Sequence, residues 1–421
     1  MFGPEALFMA ASKADMAFRW IPRTRVSMQR AGAILAVAVA ASEQTVTRSS
    51  ALGERTLTLL SRRVPLPEDI VEEFQQYTRD MRLWERYGPS GQSDRLLAGA
   101  AVQVQDLWLA DAALPSATGA ITEQVADEPV SLAVDLQLVR GKNFTLTDRG
   151  RALRLAAAAQ RDSLVAGQRR PNPFALPLGA QVLLLWALLE ADGEFASTAF
   201  QAAIKALGTS FTRATFSEQL GTVCRDLIKT WTRQARTGED RASLTRLTEL
   251  EREVSKPRAS GENWGGGRPP DQAATVRLEP YVDLGVLNKV DRTAYKYQLH
   301  SAQEQFWRRL HEDGVERFLE VSLVSAWADA RGLALATSTD AEAWSAVEEA
   351  YRELRRPLGY ASVDEVLLLA IGQEAEKAGR YFEVGGGRDL VRRRYRENPR
   401  LIRFGVRRGG GLGYMKLMGI R

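Results

Sequence analysis

Arginine is the side chain that this sequence concentrates where chemistry is on offer. Residues 388–421 hold eleven Lys or Arg against Asp389 and Glu397, a local charge of +9, so the remainder sums to −4 within a total of +5. Arg388, Arg392 and Arg396 recur at i, i+4 and i+8, the spacing of one helix face, and Arg393 extends it. Arg403, Arg407, Arg408 and Lys416 follow on a stretch of hairpin pattern, IRFGVRRGGGLGYMKL, whose turn is basic and glycine-rich. Two adjacent cationic surfaces suit phosphates on either side of a DNA groove. The planar guanidinium fork donates two hydrogen bonds to phosphate or guanine. The bland alternative is a solvated face, or a patch that docks on an acidic protein.

Other chemistries find less support. Asp364, Glu374, Glu376 and Lys377 are the nearest approach to a metal nuclease. Their setting is helical, however, so the carboxylates point to different faces instead of converging on an ion. Cys224 sits in an apolar helical context and His300 and His311 have no G-x-S-x-G near them, so nucleophilic catalysis is not expected. One cysteine and two histidines also exclude an internal disulfide and make a zinc module improbable, and no cofactor or metal is expected. Strand, glycines and helix at 381–397 have the outline of a phosphate cradle. Without G-x-x-x-x-G-K-[ST] or dinucleotide spacing, Gly385–Gly387 reads instead as a turn needing positive φ. Trp264, in a Gly/Pro-rich stretch, is a candidate to stack on a base, whereas Trp186, Trp231, Trp307, Trp327 and Trp344 read as core.

The elements that must position these cations are legible from periodicity. In 275–299, TVRLEPYVDLGVLNKVDRTAYKYQL, apolar residues predict a short amphipathic helix that ends at Gly285-Val286-Leu287. A polar turn at 288–293 and an alternating strand at 295–299 follow. The stretch 130–153 repeats the pattern: Val134-Asp135-Leu136 matches Val282-Asp283-Leu284, and 143–147 matches the later strand. Both stretches resemble the second half of the winged helix-turn-helix superfamily over roughly twenty-five residues each. Asp148 to Leu153 completes the pattern only in the first copy. The resemblance implies a fold and often DNA contact, not one activity. It makes Arg277, Lys289, Arg292 and Lys296 in one copy, and Arg140, Lys142, Arg149 and Arg151 in the other, candidates to touch phosphates. A third unit of this kind is expected at the basic C-terminus.

The organisation follows. The predicted fold is mainly α with small β-hairpin wings, as multiple winged-helix units on a helical scaffold. Expected divisions are 1–92, an N-terminal helical region; 93–170, the first winged unit; and 171–254, a helical block broken at Asp192-Gly193. After these come 255–274, a Gly/Pro-rich loop; 275–356, the second winged unit with trailing helices; and 357–421, the basic unit. Helices are also expected at 26–46, 67–88 and 94–113. The apolar run 31–42 is too short to span a bilayer, and the single cysteine suits a reducing, cytoplasmic setting.

These observations predict a non-enzymatic, bacterial-type DNA-binding protein that contacts the backbone of a duplex. By resemblance, several wings in one chain suit an accessory subunit, with protein partners, of a DNA-processing, replication or anti-phage defence assembly. A transcription regulator, a protein–protein scaffold and a cryptic nuclease using Asp364 and Glu376 are the alternatives.

Overall fold

The computed structural model describes residues 18, 20–21, 133, 135–140, 145–163, 176–255, 274, 277–291, 295–406 and 412–419. The helices expected at 26–46, 67–88 and 94–113, the run 31–42, Trp264 and the cations Lys142, Arg292, Arg407 and Arg408 lie outside these residues.

Among the described residues the chain is mainly helical, with small sheets. α1 (Asp148–Ser163) and α2 (Leu178–Leu207) lead into β1 (Ser210–Thr212), α3 (Arg213–Gln234), α4 (Gly238–Val254) and α5 (Glu279–Asp283). The hairpin β2 (Asn288–Asp291) and β3 (Lys296–Gln298) is followed by α6 (Ser301–Asp313), α7 (Val315–Val321) and α8 (Leu323–Arg331). Then come β4 (Ala336–Thr337), α9 (Asp340–Leu354), β5 (Ala361–Ser362), α10 (Val363–Ala378) and β6 (Arg380–Tyr381). α11 (Val384–Glu397) and the hairpin β7 (Ile402–Val406) and β8 (Leu412–Leu417) close the order. No described helix is long and apolar enough to cross a membrane.

Local signals account for the boundaries. Thr212, Thr237 and Thr339 each cap a helix through a reciprocal capping box with Thr215, Asp240 and Glu342, worth about 1 kcal/mol per cap. Gly332 and Gly379 end α8 and α10 in left-handed conformations that cost a glycine little.

Two three-stranded antiparallel sheets share one plan. In the central one the order is β1-β3-β2, and in the C-terminal one it is β5-β8-β7. Each places the last strand of its hairpin in the middle, paired with a short strand that runs directly into a helix. The strand Ser210–Thr212 thus joins the helical block to the second hairpin, and the two expected segments share one sheet. β4 and β6 form a separate parallel pair.

The internal echo extends to backbone geometry. Gln137 and Gly285, at matching positions, both have positive φ, 57° and 76°. Leu138 N–H donates to Ala133 O as Val286 N–H donates to Tyr281 O. In the first copy Arg149 donates to Leu136 O, and the single Thr147 hydroxyl proton is shared between Gln137 O at the surface and Leu138 O; in the second, three successive carbonyls turn inward, and Trp327, Gln303 and Trp307 donate to Leu284, Gly285 and Val286 O. Burying these carbonyls without partners would cost about 1–3 kcal/mol each.

Three expectations require correction. Asp192-Gly193 does not break the helix: α2 runs unbroken through them. Asp192 is buried on Arg277, and a Cβ at Gly193 would lie 2.9 Å from Val315, so both residues serve close packing. Asn288–Asp291 forms strand β2 instead of a turn, because Lys289 pairs with Tyr297 across the sheet and tucks its ammonium into the core. Gly385–Gly387 is the first turn of α11, with no positive φ. Close approach explains two of these glycines, since added Cβ atoms would meet Glu320 O at 3.0 Å and a Leu367 methyl at 2.8 Å.

The core is continuous from the central sheet to the C-terminal one. Phe200, Phe216, Tyr281 and Trp307 interlock at one end, with Phe200 and Trp307 stacked at 3.8 Å. At the seam between the two regions α2 crosses α10 with Gly179 on Gly372, and a Cβ on Gly372 would lie 2.7 Å from Gly179 Cα. Phe18, Trp20 and Ile21 dock on this body: Phe18 stacks on Trp231 at 4.3 Å, and Ile21 donates to Asp192 and accepts from Arg277.

Candidate nucleic-acid interface

α11 is built to bury one side and expose another. Val384, Gly387, Leu390 and Val391 are buried, at helical spacing. Tyr395 packs edge-on against Phe404 of β7 at 5.2 Å, fixing the helix relative to the hairpin. Strand alternation places Ile402, Met415 and Leu417 in the core and sets Arg403 directly opposite Lys416. Like charges at facing positions are unfavourable in a bare sheet. Here Lys416 turns toward Leu358 O at 3.1 Å and the Tyr360 ring at 5.7 Å, while Arg403 stays exposed.

The face predicted from i, i+4 spacing divides on inspection. Arg388 bridges helices, paired with Glu320 of α7 and, at 2.8 Å, with Asp364 of α10. Arg392, Arg393 and Arg396 turn outward and line a groove of about 820 Å³ between α11, the start of α9 and the β4–β6 pair. Arg392 meets Asp389 at 2.9 Å and Arg393 meets Asp340 of α9 at 2.8 Å. Both carboxylates are about two-thirds exposed, at 68% and 65%, so each pair is worth about 0–1 kcal/mol and exchanges readily for another anion.

The groove floor contains Glu383, whose carboxylate accepts from Val324 and Ser325 N–H at 3.0 and 2.8 Å and caps α8. Burial raises this carboxyl above its ordinary range against those hydrogen bonds. Sequence reasoning had no signal for Glu383 or Asp340, because their positions depend on how α8, α9 and α11 pack. Arg394, 5.6 Å from the Trp344 ring centroid, was equally hidden.

The central candidates lie elsewhere. Arg277, 1% exposed, forms a buried pair with Asp192 at 2.9 Å and stacks over Phe195. Lys289, also 1% exposed, is 2.7 Å from Glu279, which accepts from Tyr297 as well. Neither is presented to a ligand at the surface: the neighbouring carboxylates draw both cations inward, which corrects the expectation of a wing contact. Lys296 is exposed on β3. In the first copy Arg140 is exposed and Arg151 is half-buried beside Asp148, whereas Arg149 is buried between Glu190 and Glu365.

The catalytic candidates disperse along α10. Asp364 takes Arg388, Glu374 takes Arg380, Glu376 accepts from Leu178 N–H, and Lys377 pairs with Glu349. Among the described residues no three His, Cys, Asp or Glu side chains gather as a metal site would require. Cys224 is buried, and desolvation pushes its thiol up to about 12, far from the thiolate that nucleophilic chemistry needs.

Comparison of the chain with models of protein families, with curated proteins and with solved structures found no match.

Proposed function

We propose that the chain is a non-enzymatic DNA-binding protein whose contact surface is α11 with the hairpin β7–β8. In this reading both three-stranded sheets belong to winged-helix units. The order α9, β5, α10, α11, β7, β8 around β5-β8-β7, interrupted between α10 and α11 by β6 of the separate parallel pair, supports it for the C-terminal unit. The central unit then acts as architecture, since its corresponding helix, α5, has only five residues and buries four of them.

One observation carries the proposal. Arg392, Arg393 and Arg396 face outward from a helix locked by Tyr395 to a hairpin that displays Arg403 opposite Lys416. Two cationic surfaces held at a fixed angle suit backbone phosphates on both sides of a groove. The test is fluorescence anisotropy with duplex DNA at about 50 and 200 mM salt, comparing the intact protein with R392A/R393A/R396A. Steep salt dependence that lessens in the variant, by about 0.9 log-log units per lost contact, is the expected result. Equal, salt-insensitive binding by both would reject it. Deleting residues 388–421 is the poorer experiment, because Leu390, Val391, Ile402, Met415 and Leu417 belong to the core.

A further inference from the structure

The arginines of this unit meet solvent in two shapes. Arg400 and Arg403 are exposed past the end of α11, while Arg392, Arg393 and Arg396 line a recess. A duplex is read by elements that protrude into it, since its major groove is about 12 Å wide and admits a helix. The arginines along the rim of the recess can still meet the backbone of such a duplex, while its interior takes something narrower. We propose that the groove between α11, α9 and β6 holds an unpaired DNA strand that continues from a duplex lying on the same unit, an inference that rests on the DNA-binding reading above.

The lining supplies what a single strand needs. Three guanidinium groups line it, each with the planar fork that takes phosphate bidentately. Tyr381, half-buried in the wall, offers a ring on which any base can stack. Ser338, whose hydroxyl donates to Glu374 at 3.3 Å, completes this side of the lining. At about 820 Å³ the space is large enough to admit a short run of nucleotides.

The two aspartates set the conditions of entry. Asp340 reaches from α9 to Arg393, across the groove, and Asp389 holds Arg392 from the same helix. They pre-position the guanidinium groups and occupy the donors that phosphate would take. An incoming strand therefore displaces them, and removing a carboxylate charge strengthens strand binding instead of weakening it. A purely structural ion pair predicts the reverse.

The experiment titrates the full chain against a labelled blunt duplex and the same duplex bearing a thymidine overhang of about ten nucleotides, a length within single-strand site sizes. The overhang should be bound about tenfold more tightly, the effect of stacking one base. Tyr381→Ala and Arg393→Ala should abolish that advantage, Tyr381→Phe should keep it, and Asp340→Asn should enlarge it. Equal affinity of the unmodified protein for both DNAs, with salt-sensitive binding, overturns this inference and leaves the duplex reading standing. Binding to neither overturns both. An Asp340→Asn protein that melts normally yet binds the overhang more weakly overturns the displacement of the aspartate.

Discussion

The central and C-terminal sheets have the same strand order and opposite uses of charge. Around β1-β3-β2 two cations point inward, Arg277 to Asp192 and Lys289 to Glu279, Lys296 alone of the described candidates there being exposed, and the helix before the hairpin is a single buried turn or so. Around β5-β8-β7 the corresponding helix is fourteen residues long, and three of its arginines line an open groove. The same backbone plan thus serves either to brace a core or to present a surface. What selects between them is where carboxylates sit: deep and paired one-to-one in the centre, shallow and exchangeable at the C-terminal end.

The contrast can be broken most forcefully at Arg277. Arg277→Ala leaves Asp192 buried without its bidentate partner and should cost about 3–5 kcal/mol in urea unfolding, with DNA affinity of the folded protein unchanged. At the seam, Gly372→Ala forces a methyl against Gly179 and should cost about 1–3 kcal/mol, uncoupling the two regions before either unfolds. The triple change R392A/R393A/R396A should move stability by only about 0.5 kcal/mol, as surface changes do. It should reduce the salt dependence of DNA binding by about 2–3 log-log units. A large loss of stability there would erase the distinction between bracing and presenting arginines.

The smallest effect concerns pH. The Thr339 N–H bond, with Arg380 beside it, holds the Glu342 carboxyl below its ordinary range. Such a group contributes stability above the ordinary carboxylate range and loses it as pH falls through the lower folded value. Glu342→Gln should therefore flatten the acid limb of a stability-versus-pH curve. An unchanged limb would remove Glu342 from the groups that couple α9 to pH.

Among the described residues, helix was readable in the sequence where periodicity was clear. The helical setting read for Asp364, Glu374, Glu376 and Lys377 is α10, and the hairpin pattern read at 402–417 is present as β7 and β8. Long-range pairing was not readable. Ser210–Thr212 is too short to announce itself as a strand, and only its partner, 84 residues away at Thr212 and Lys296 through 88 at Ser210 and Gln298, makes it one. Asp192-Gly193 looked like a helix break because local propensity registers neither a buried arginine nor a close-packed valine. For the same reason the cations were recognisable as a set but not sortable. Arg388 and Arg392 are equivalent by spacing, and only Glu320 and Asp364, contributed by other helices, draw one of them out of the exposed face.

The docking of Ile21 imposes an order in time. Its partners Asp192 and Arg277 lie 171 and 256 residues further along the chain. At a synthesis rate of about 5–20 residues per second, Arg277 is made roughly 10–50 s after Ile21. Until Trp231 and Phe195 have followed them, Phe18 and Trp20 are aromatic residues without their seats. The earliest part of this contact to be translated is thus among the last to be fastened, and its closure reports that the ribosome has passed the central sheet's buried arginine.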